Sequence, residues 1–294
     1  MKVEYVSSGV GYIKLGVSTG VISDGRRCML VDTGLDDDAG RRIMKAISGE
    51  QLTVSGIFNT HSHADHHGGN TYILRRAKAK VYAPRGEAAV IENPILEPFY
   101  LWSASPPREL RAKFVLAKPS RVDYRVEAGS RIEEFGAEVI DLRGHSMMQA
   151  GLAVGKVLFA ADSVMPPHVI EKYRVIYLYD VAEALKTLER LLKSDYSTYV
   201  LGHGGAVSSR DFKSYVLQNI QAIRSVEQVI EAEVTRPLEE HELARRIQEA
   251  FGLRVENLAE LMLLKATLRA YITYMQQQGK LKVKAKGEVI VEPA

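Results

Sequence analysis

Asn59-Thr60-His61-Ser62-His63-Ala64-Asp65-His66-His67-Gly68-Gly69 decides the reading of this chain. Four of the chain's eight histidines and a carboxylate fall in this stretch, and two glycines close it. Upstream, Val54-Ser55-Gly56-Ile57-Phe58 reads as a short buried strand. Downstream, residues 68–78 carry a helical pattern. A strand that ends in such a cluster delivers imidazoles and a carboxylate to its carboxyl end, where α/β sheets bind ligands. Those two groups are preferred ligands of zinc and similar borderline metals. The alternation of His61, His63 and Asp65 places three side chains on one side of an extended segment, and His66 then turns elsewhere. That spacing suits two adjacent metals better than one.

Further candidates follow at other strand ends. His145 comes after the apolar run Ala137–Leu142, in Leu142-Arg143-Gly144-His145-Ser146. Asp162 ends Val157-Leu158-Phe159-Ala160-Ala161-Asp162, and His203 follows Tyr199-Val200-Leu201-Gly202. Each sits where an apolar run gives way to Gly or Ser. One such end alone is an ordinary turn; four in one chain are a signal.

In their order, the H-x-H-x-D-H motif, the later Gly-His, the Phe-Ala-Ala-Asp-Ser and the Gly-His-Gly resemble the metallo-β-lactamase superfamily. The resemblance covers about the first two-thirds of the chain. It implies an αβ/βα four-layer sandwich. It also implies one metal on His61, His63 and His145, a second on Asp65, His66 and His203, and Asp162 bridging them with a hydroxide. Val31-Asp32-Thr33-Gly34 resembles the family's N-terminal Asp-x-Gly, which makes Asp32 a group that orients a ligand histidine. Its alternative is an ordinary strand-to-turn Asp. The carboxylate at Asp162 is the pattern of glyoxalase II, lactonases and nucleases rather than of the true lactam-hydrolysing enzymes. Flavodiiron relatives usually carry Glu where His63 stands. Many relatives follow the third ligand with Thr/Ser-Pro-Gly-Ser; here it reads Ser146-Met147-Met148-Gln149, which adds adaptable apolar surface.

The implied chemistry needs no nucleophilic side chain. Two divalent cations ~3.5–4 Å apart share a water, lower its pKa to near 7 and polarise a carbonyl or phosphoryl oxygen. Asp65 or Asp162 can take the nucleophile's proton. Zn is the expected metal, with Fe or Mn as alternatives.

The 294 residues suffice for one large domain and a smaller one. A net charge of +3 is too weak to argue for nucleic acid or membrane. The one cysteine, Cys28, excludes an intrachain disulfide. Met1-Lys2-Val3-Glu4-Tyr5 reads as the start of a strand, so no signal peptide or membrane span is expected, and a cytoplasmic location is.

Strands are expected near residues 3–7, 10–15, 19–23, 28–32, 54–59, 79–83, 121–142, 150–161 and 197–201, with helices at 36–49, 68–78, 85–92 and 180–194. The acidic run Asp36-Asp37-Asp38 reads as a helix N-terminus. Residues 93–119 hold five of the ten prolines, together with Phe99, Tyr100, Trp102 and Phe114. A connection of that length is uncommon unless functional, and reads as a lid over the metals, against an apolar flap packed on the core or a second subunit. Residues 166–179, with Tyr173, should line the same pocket beside Met147 and Met148.

From 207 to 294 the pattern turns helical, so the expected domains are 1–206, catalytic, and 207–294. Helices are expected at 208–234, 239–251 and 256–278, with Pro237 near a first turn. The strand Lys280-Leu281-Lys282-Val283-Lys284-Ala285-Lys286 then puts lysines on one face. Three helices and a hairpin look winged-helix-like, which resembles the endoribonuclease subgroup of the same superfamily. Those lysines read either as phosphate contacts or as a charged edge that resists aggregation, and the second is preferred, with the domain serving as a dimer contact or substrate wall. The chain thus reads as a binuclear metal-dependent hydrolase acting on a small thioester, ester or lactone. The alternatives are an RNA endonuclease or phosphodiesterase and an iron-dependent persulfide dioxygenase.

Overall fold

Short apolar strands at the start of the chain build an antiparallel meander: β1 (Glu4–Ser7), β2 (Val10–Ile13), β3 (Thr19–Ser23) and β4 (Arg27–Val31). The helix α1 (Asp37–Gly49) follows, and Asp36 caps it by accepting the N–H groups of Asp38 and Ala39, as the acidic run implies. β5 (Thr53–Phe58) returns parallel to β4. The structure is a computed structural model that describes residues 1–294.

The helix expected over 68–78 is broken into α2 (Ala64–His67) and α3 (Asn70–Leu74). The two glycines between them explain the break. A Cβ on Gly68 would lie 1.9 Å from the Leu35 carbonyl oxygen, and one on Gly69 2.2 Å from that of Thr33. The backbone here runs against the loop after β4, an approach that only glycine allows. β6 (Lys80–Pro84), α4 (Arg85–Glu92) and α5 (Leu96–Trp102) come next, and β7 (Tyr124–Val126) completes a seven-stranded sheet in the order β1 to β7.

The strand region expected over 121–142 divides between two sheets. β7 stays in the first, while β8 (Arg131–Ile132) and β9 (Ala137–Asp141) begin the second. β10 (Ala150–Val154), β11 (Val157–Ala161), β12 (Thr198–Leu201) and β13 (Gly205–Ser208) fill the second sheet, in the order β13-β12-β11-β10-β9-β8. Between β11 and β12 lie α6 (Pro167–Tyr173) and α7 (Val181–Lys193).

Three cores define the layers. Tyr12, Met29, Val31 and Phe58 of the first sheet meet Val139, Leu152, Phe159 and Val200 of the second. On its other face the first sheet packs on α1, α3 and α4 through Ile43, Ile47, Ile73 and Ile91. The second sheet packs on α7 and on α8 (Ser209–Glu233) through Leu158, Tyr199, Leu188 and Phe212. Helices, sheet, sheet and helices make the expected four-layer αβ/βα sandwich.

The remainder comprises β14 (Leu238–Glu239), α9 (Glu240–Phe251), α10 (Leu258–Gln277), β15 (Leu281–Ala285) and β16 (Val289–Pro293), with a small sheet in the order β14-β16-β15. Pro237 precedes β14 rather than opening the helix. The core beneath the second sheet runs on without interruption into Leu243, Ile247, Tyr271, Met275 and Leu281. The alternation in β15 is covered only at Leu281; Val283 is 36% exposed. Two of the four lysines are held by acids of the chain, Lys280 by Glu227 (2.7 Å) and Glu231 (2.5 Å) and Lys284 by Glu292. No helix is long and apolar enough to cross a membrane.

Candidate metal centre

The carboxyl ends of β5, β9, β11 and β12 converge, and each delivers candidates through the loop that follows it. His61, His63, Asp65 and His66 follow β5, His145 follows β9, Asp162 follows β11, and His203 follows β12. Donor atoms of His61, His63 and His145 lie within 4.8 Å of one another, as do those of His61, His66 and Asp162, and those of Asp65, His66 and His203. All seven residues singled out from sequence come together. One detail differs: Asp65 sits in the first turn of α2 rather than on an extended run, which directs it to His66 and His203 and away from His61 and His63.

Hydrogen bonds at the remote ring nitrogens assign the tautomers. Thr60 Oγ1 donates to Asp32 Oδ2 at 2.8 Å, so its oxygen accepts from His61 Nδ1 at 3.0 Å. His145 Nδ1 donates to the Tyr177 carbonyl at 3.1 Å, and His203 Nδ1 to that of Gly16 at 3.3 Å. His66 Nδ1 donates to Asp32 Oδ2 at 2.7 Å. The Nε2 atoms of His61, His66, His145 and His203 are thereby turned to the shared space.

Two of them, on His61 and His145, point at His63 Nδ1 from 3.1 and 3.0 Å. A single N–H on His63 cannot serve both. Three nitrogens around one cation with bonds of ~2.0–2.1 Å would be spaced by roughly 3.3 Å at a tetrahedral angle. The donor set therefore fits a divalent metal. Buried, unpartnered His66 Nε2 and Asp162 Oδ1 add to that fit.

Asp162 stands between the two groups. Its Oδ2 is 3.1 Å from His203 Nε2, 3.4 Å from His66 Nε2 and 3.8 Å from His145 Nε2. A Cβ on Gly202 would lie 1.9 Å from Asp162 Oδ1, so only glycine at that position leaves the carboxylate its place. Asp32 accepts the backbone N–H of Thr60 at 2.8 Å as well as His66, and holds a left-handed backbone (φ 62) to do so. That strain at a buried polar residue is the kind stored at functional sites.

The two groups differ electrostatically. Burial pushes His61 and His63 well below the usual histidine range, and neighbouring imidazoles add to it. Burial also lowers His145, with Asp162 opposing. In the other group Asp162 raises His203 to about 9 against the effect of burial. Burial opposes a charge on His66, but Asp162, Asp32 and Asp65 outweigh it and hold His66 well above its usual value. Burial likewise opposes the charge of Asp162, and His203 and His66 outweigh it, holding the carboxyl well below its usual range.

Tyr177 lies in the segment expected to line the pocket, while two acids near the centre, Glu97 and Glu87, escaped the sequence reading. Tyr177 places its ring 5.4 Å from that of His63 and 5.6 Å from that of His145. Glu97, on α5, is 5% exposed, and burial, then Asp65 and Glu87, raise its carboxyl well above the usual range. Glu87, on α4, is 2% exposed and bonded to both Ser62 and Ser146. The expected rim is less closely engaged. Phe99, Tyr100, Trp102, Met147 and Tyr173 are 40–55% exposed. Burial, then Glu97 and Tyr177, raise the Tyr100 phenol above its usual range. Met147 and Met148 approach Gly86 at the start of α4. Lys172 reaches the Tyr173 hydroxyl at 3.1 Å. Leu101 and Leu110 are buried, and α5 with the turn Arg108–Arg111 packs on α10.

A family model, the metallo-beta-lactamase superfamily, matches residues 13–203. The chain belongs to that superfamily. Two curated relatives are named hydroxyacylglutathione hydrolase. The one from Erythrobacter litoralis is 29% identical over 136 residues, 43% of this chain and 43% of its own. The one from Hyphomonas neptunium is 32% identical over 97 residues, 32% of this chain and 27% of its own. The chain thus spans less than half the length of these relatives. Solved structures show the superfamily fold over nearly the whole chain. A beta-lactamase domain protein from Burkholderia ambifaria superposes with a TM-score of 0.79 at 17% identity, covering 99% of this chain and 93% of that one. A metallo-beta-lactamase family protein from Thermus thermophilus gives 0.77 at 17% identity, covering 99% and 100%. A subclass B3 metallo-beta-lactamase of Bradyrhizobium japonicum gives 0.58 at 16% identity, covering 85% and 96%.

Proposed function

We propose that this protein is a binuclear metal-dependent hydrolase of a small carbonyl substrate: a thioester, ester or lactone. The convergence of four imidazole Nε2 atoms on a space divided by Asp162 carries the reading. His61, His63 and His145 would hold one divalent ion and Asp65, His66 and His203 the other, with Asp162 shared and Asp32 orienting His66. Zn suits the N/O donor set, and Fe and Mn are the alternatives. When bound, such ions supply Lewis acidity and acidify a water to near pH 7.

The chain's own residues do the rest. Remote hydrogen bonds turn Nε2 of His61, His66, His145 and His203 inward, where each would serve a metal as a neutral imidazole. Asp65 is about one-third exposed at the edge of the centre, placed to accept the proton that the nucleophile loses. Tyr177 walls the three-imidazole side. The exposed aromatic and methionine side chains at the rim favour an apolar acyl group over a polyanion. The hydroxyacylglutathione hydrolase name of the curated relatives points to the same bond class. Residues 207–294 form a helical wall in this account, and α10 anchors the segment 93–119 as the cover.

The test is a panel of simple thioesters, lactones and RNA assayed with zinc-loaded, iron-loaded and manganese-loaded protein. Thioester or lactone turnover that needs metal is expected. RNA cleavage with no carbonyl hydrolysis would replace the proposal with a phosphodiesterase, and iron-dependent oxygen uptake on a persulfide would replace it with a dioxygenase.

A further inference from the structure

We propose that Glu87 is a positioning residue that locks the His61–His63 loop to the His145 loop and thereby sets the metal affinity of the three-imidazole group. This rests on the metal-centre reading above. Glu87 lies on the buried face of α4, in line with Ala88 and Ile91. Its Oε2 accepts the backbone N–H of Ser62 at 2.9 Å and the Ser62 hydroxyl at 2.6 Å. Its Oε1 accepts the backbone N–H of Met148 at 2.7 Å and the Ser146 hydroxyl at 2.8 Å. Ser62 stands between His61 and His63, and Ser146 directly follows His145. One side chain therefore spans the two loops whose imidazoles, His63 and His145, meet at 3.0 Å.

The arrangement requires a carboxylate. An ionised carboxyl offers about four acceptor sites and no donor, and here all four are taken. Each oxygen serves one backbone N–H and one hydroxyl. A glutamine of the same size has one oxygen and one NH₂ group. The serine hydroxyls can rotate and accept from the NH₂, but a backbone N–H cannot. Either rotamer of the amide therefore sets an NH₂ against the N–H of Ser62 or that of Met148, and one loop is released. The anion also places a negative charge behind the three neutral imidazoles, where it favours a cation. Groups that orient ligands in this way typically account for 10–100-fold in metal affinity.

The experiment compares parent and Glu87→Gln by competition for zinc with a chromophoric chelator, starting from metal-stripped protein, alongside thermal unfolding of the metal-stripped forms. One of the two zinc ions is expected to bind 10–100-fold more weakly in Glu87→Gln, with the other unchanged. The weakening should persist in a His203→Ala background, which leaves the three-imidazole group intact. Parent-level affinity for both ions in folded Glu87→Gln, even with a lowered unfolding temperature, would overturn the proposal and leave Glu87 a packing residue. Should Glu87→Gln not fold, the double variant Ser62→Ala/Ser146→Ala carries the test: a several-fold weaker zinc is expected, and parent-level affinity overturns it. A parent that takes up no zinc would instead refute the metal-centre reading itself.

Discussion

The floor of the candidate site and its rim are built on opposite terms. On the floor, His61, His66, His145 and Asp162 are at most 6% exposed, and every remote ring nitrogen of the four inward-facing histidines has a hydrogen-bond partner. At the rim, Phe99 and Trp102 are 49% and 40% exposed and rest on a short helix packed against α10. A floor so heavily constrained determines what chemistry is possible. In the proposed account the loosely held rim would select the substrate, and changes there would leave the floor undisturbed.

The sharpest break of this contrast is on the floor. Asp162→Ala should leave no measurable turnover while circular dichroism stays that of the parent. Gly202→Ala should act almost as strongly without replacing a candidate ligand, because its new methyl would occupy the place of Asp162 Oδ1. Near-normal turnover of either variant in metal-replete buffer would remove Asp162 from the site.

Within the floor, the second group is the one that holds protons. In metal-free protein His203 titrates at about 9, above the ordinary 6.5, because of Asp162. A raised folded-state value contributes stability that is complete below 6.5 and is lost as pH rises through about 9. Metal-stripped parent should therefore unfold at a higher temperature than metal-stripped His203→Gln at pH 6, and the gap should close by pH 10. A gap that stays constant with pH would mean that the pair with Asp162 is not formed.

At the rim the effects should be smaller and confined to substrate. Trp102→Ala should raise KM for an apolar acyl thioester about five-fold, roughly 1 kcal/mol of lost apolar contact, and leave bound metal unchanged. Unaltered kinetics on every accepted substrate would make residues 93–119 structural. The smallest effect is expected farthest away. Lys282→Gln/Lys286→Gln should hydrolyse thioesters as the parent does, and neither protein should bind RNA with a steep salt dependence. If the parent binds RNA strongly and the double variant loses roughly two units of salt slope, nearer 1.4 for single strands, the basic strand is a nucleic-acid contact.

The same contrast governs how much the sequence could tell. The floor was legible because metal chemistry restricts residue types and because ligands gather at strand ends, so the histidines and Asp162 announce themselves. The four-layer order came with the resemblance that these ligand motifs carry, and the alternation of strands and helices suits it. The break at Gly68-Gly69 was not legible, since its cause is the close approach of the loop after β4, a contact distant in sequence. Glu87 left one faint signal, an acid in helical register with Ile91 on an apolar face. Its partners Ser62 and Ser146 are 25 and 59 residues away, and no local pattern couples them. The alternation of lysines over 280–286 is plain in the sequence, yet its apolar face is covered only at Leu281, and the ion pairs of Lys280 with Glu227 and Glu231 and of Lys284 with Glu292 depend on how the helix α8 and strand β16 pack beside them.

The most direct measurement is thioester turnover by metal-stripped protein, followed as zinc is added back in steps. The account predicts no turnover without metal and recovery that is complete at two zinc ions per chain. Full activity of the stripped protein, or recovery that is complete at one ion, would contradict a binuclear centre.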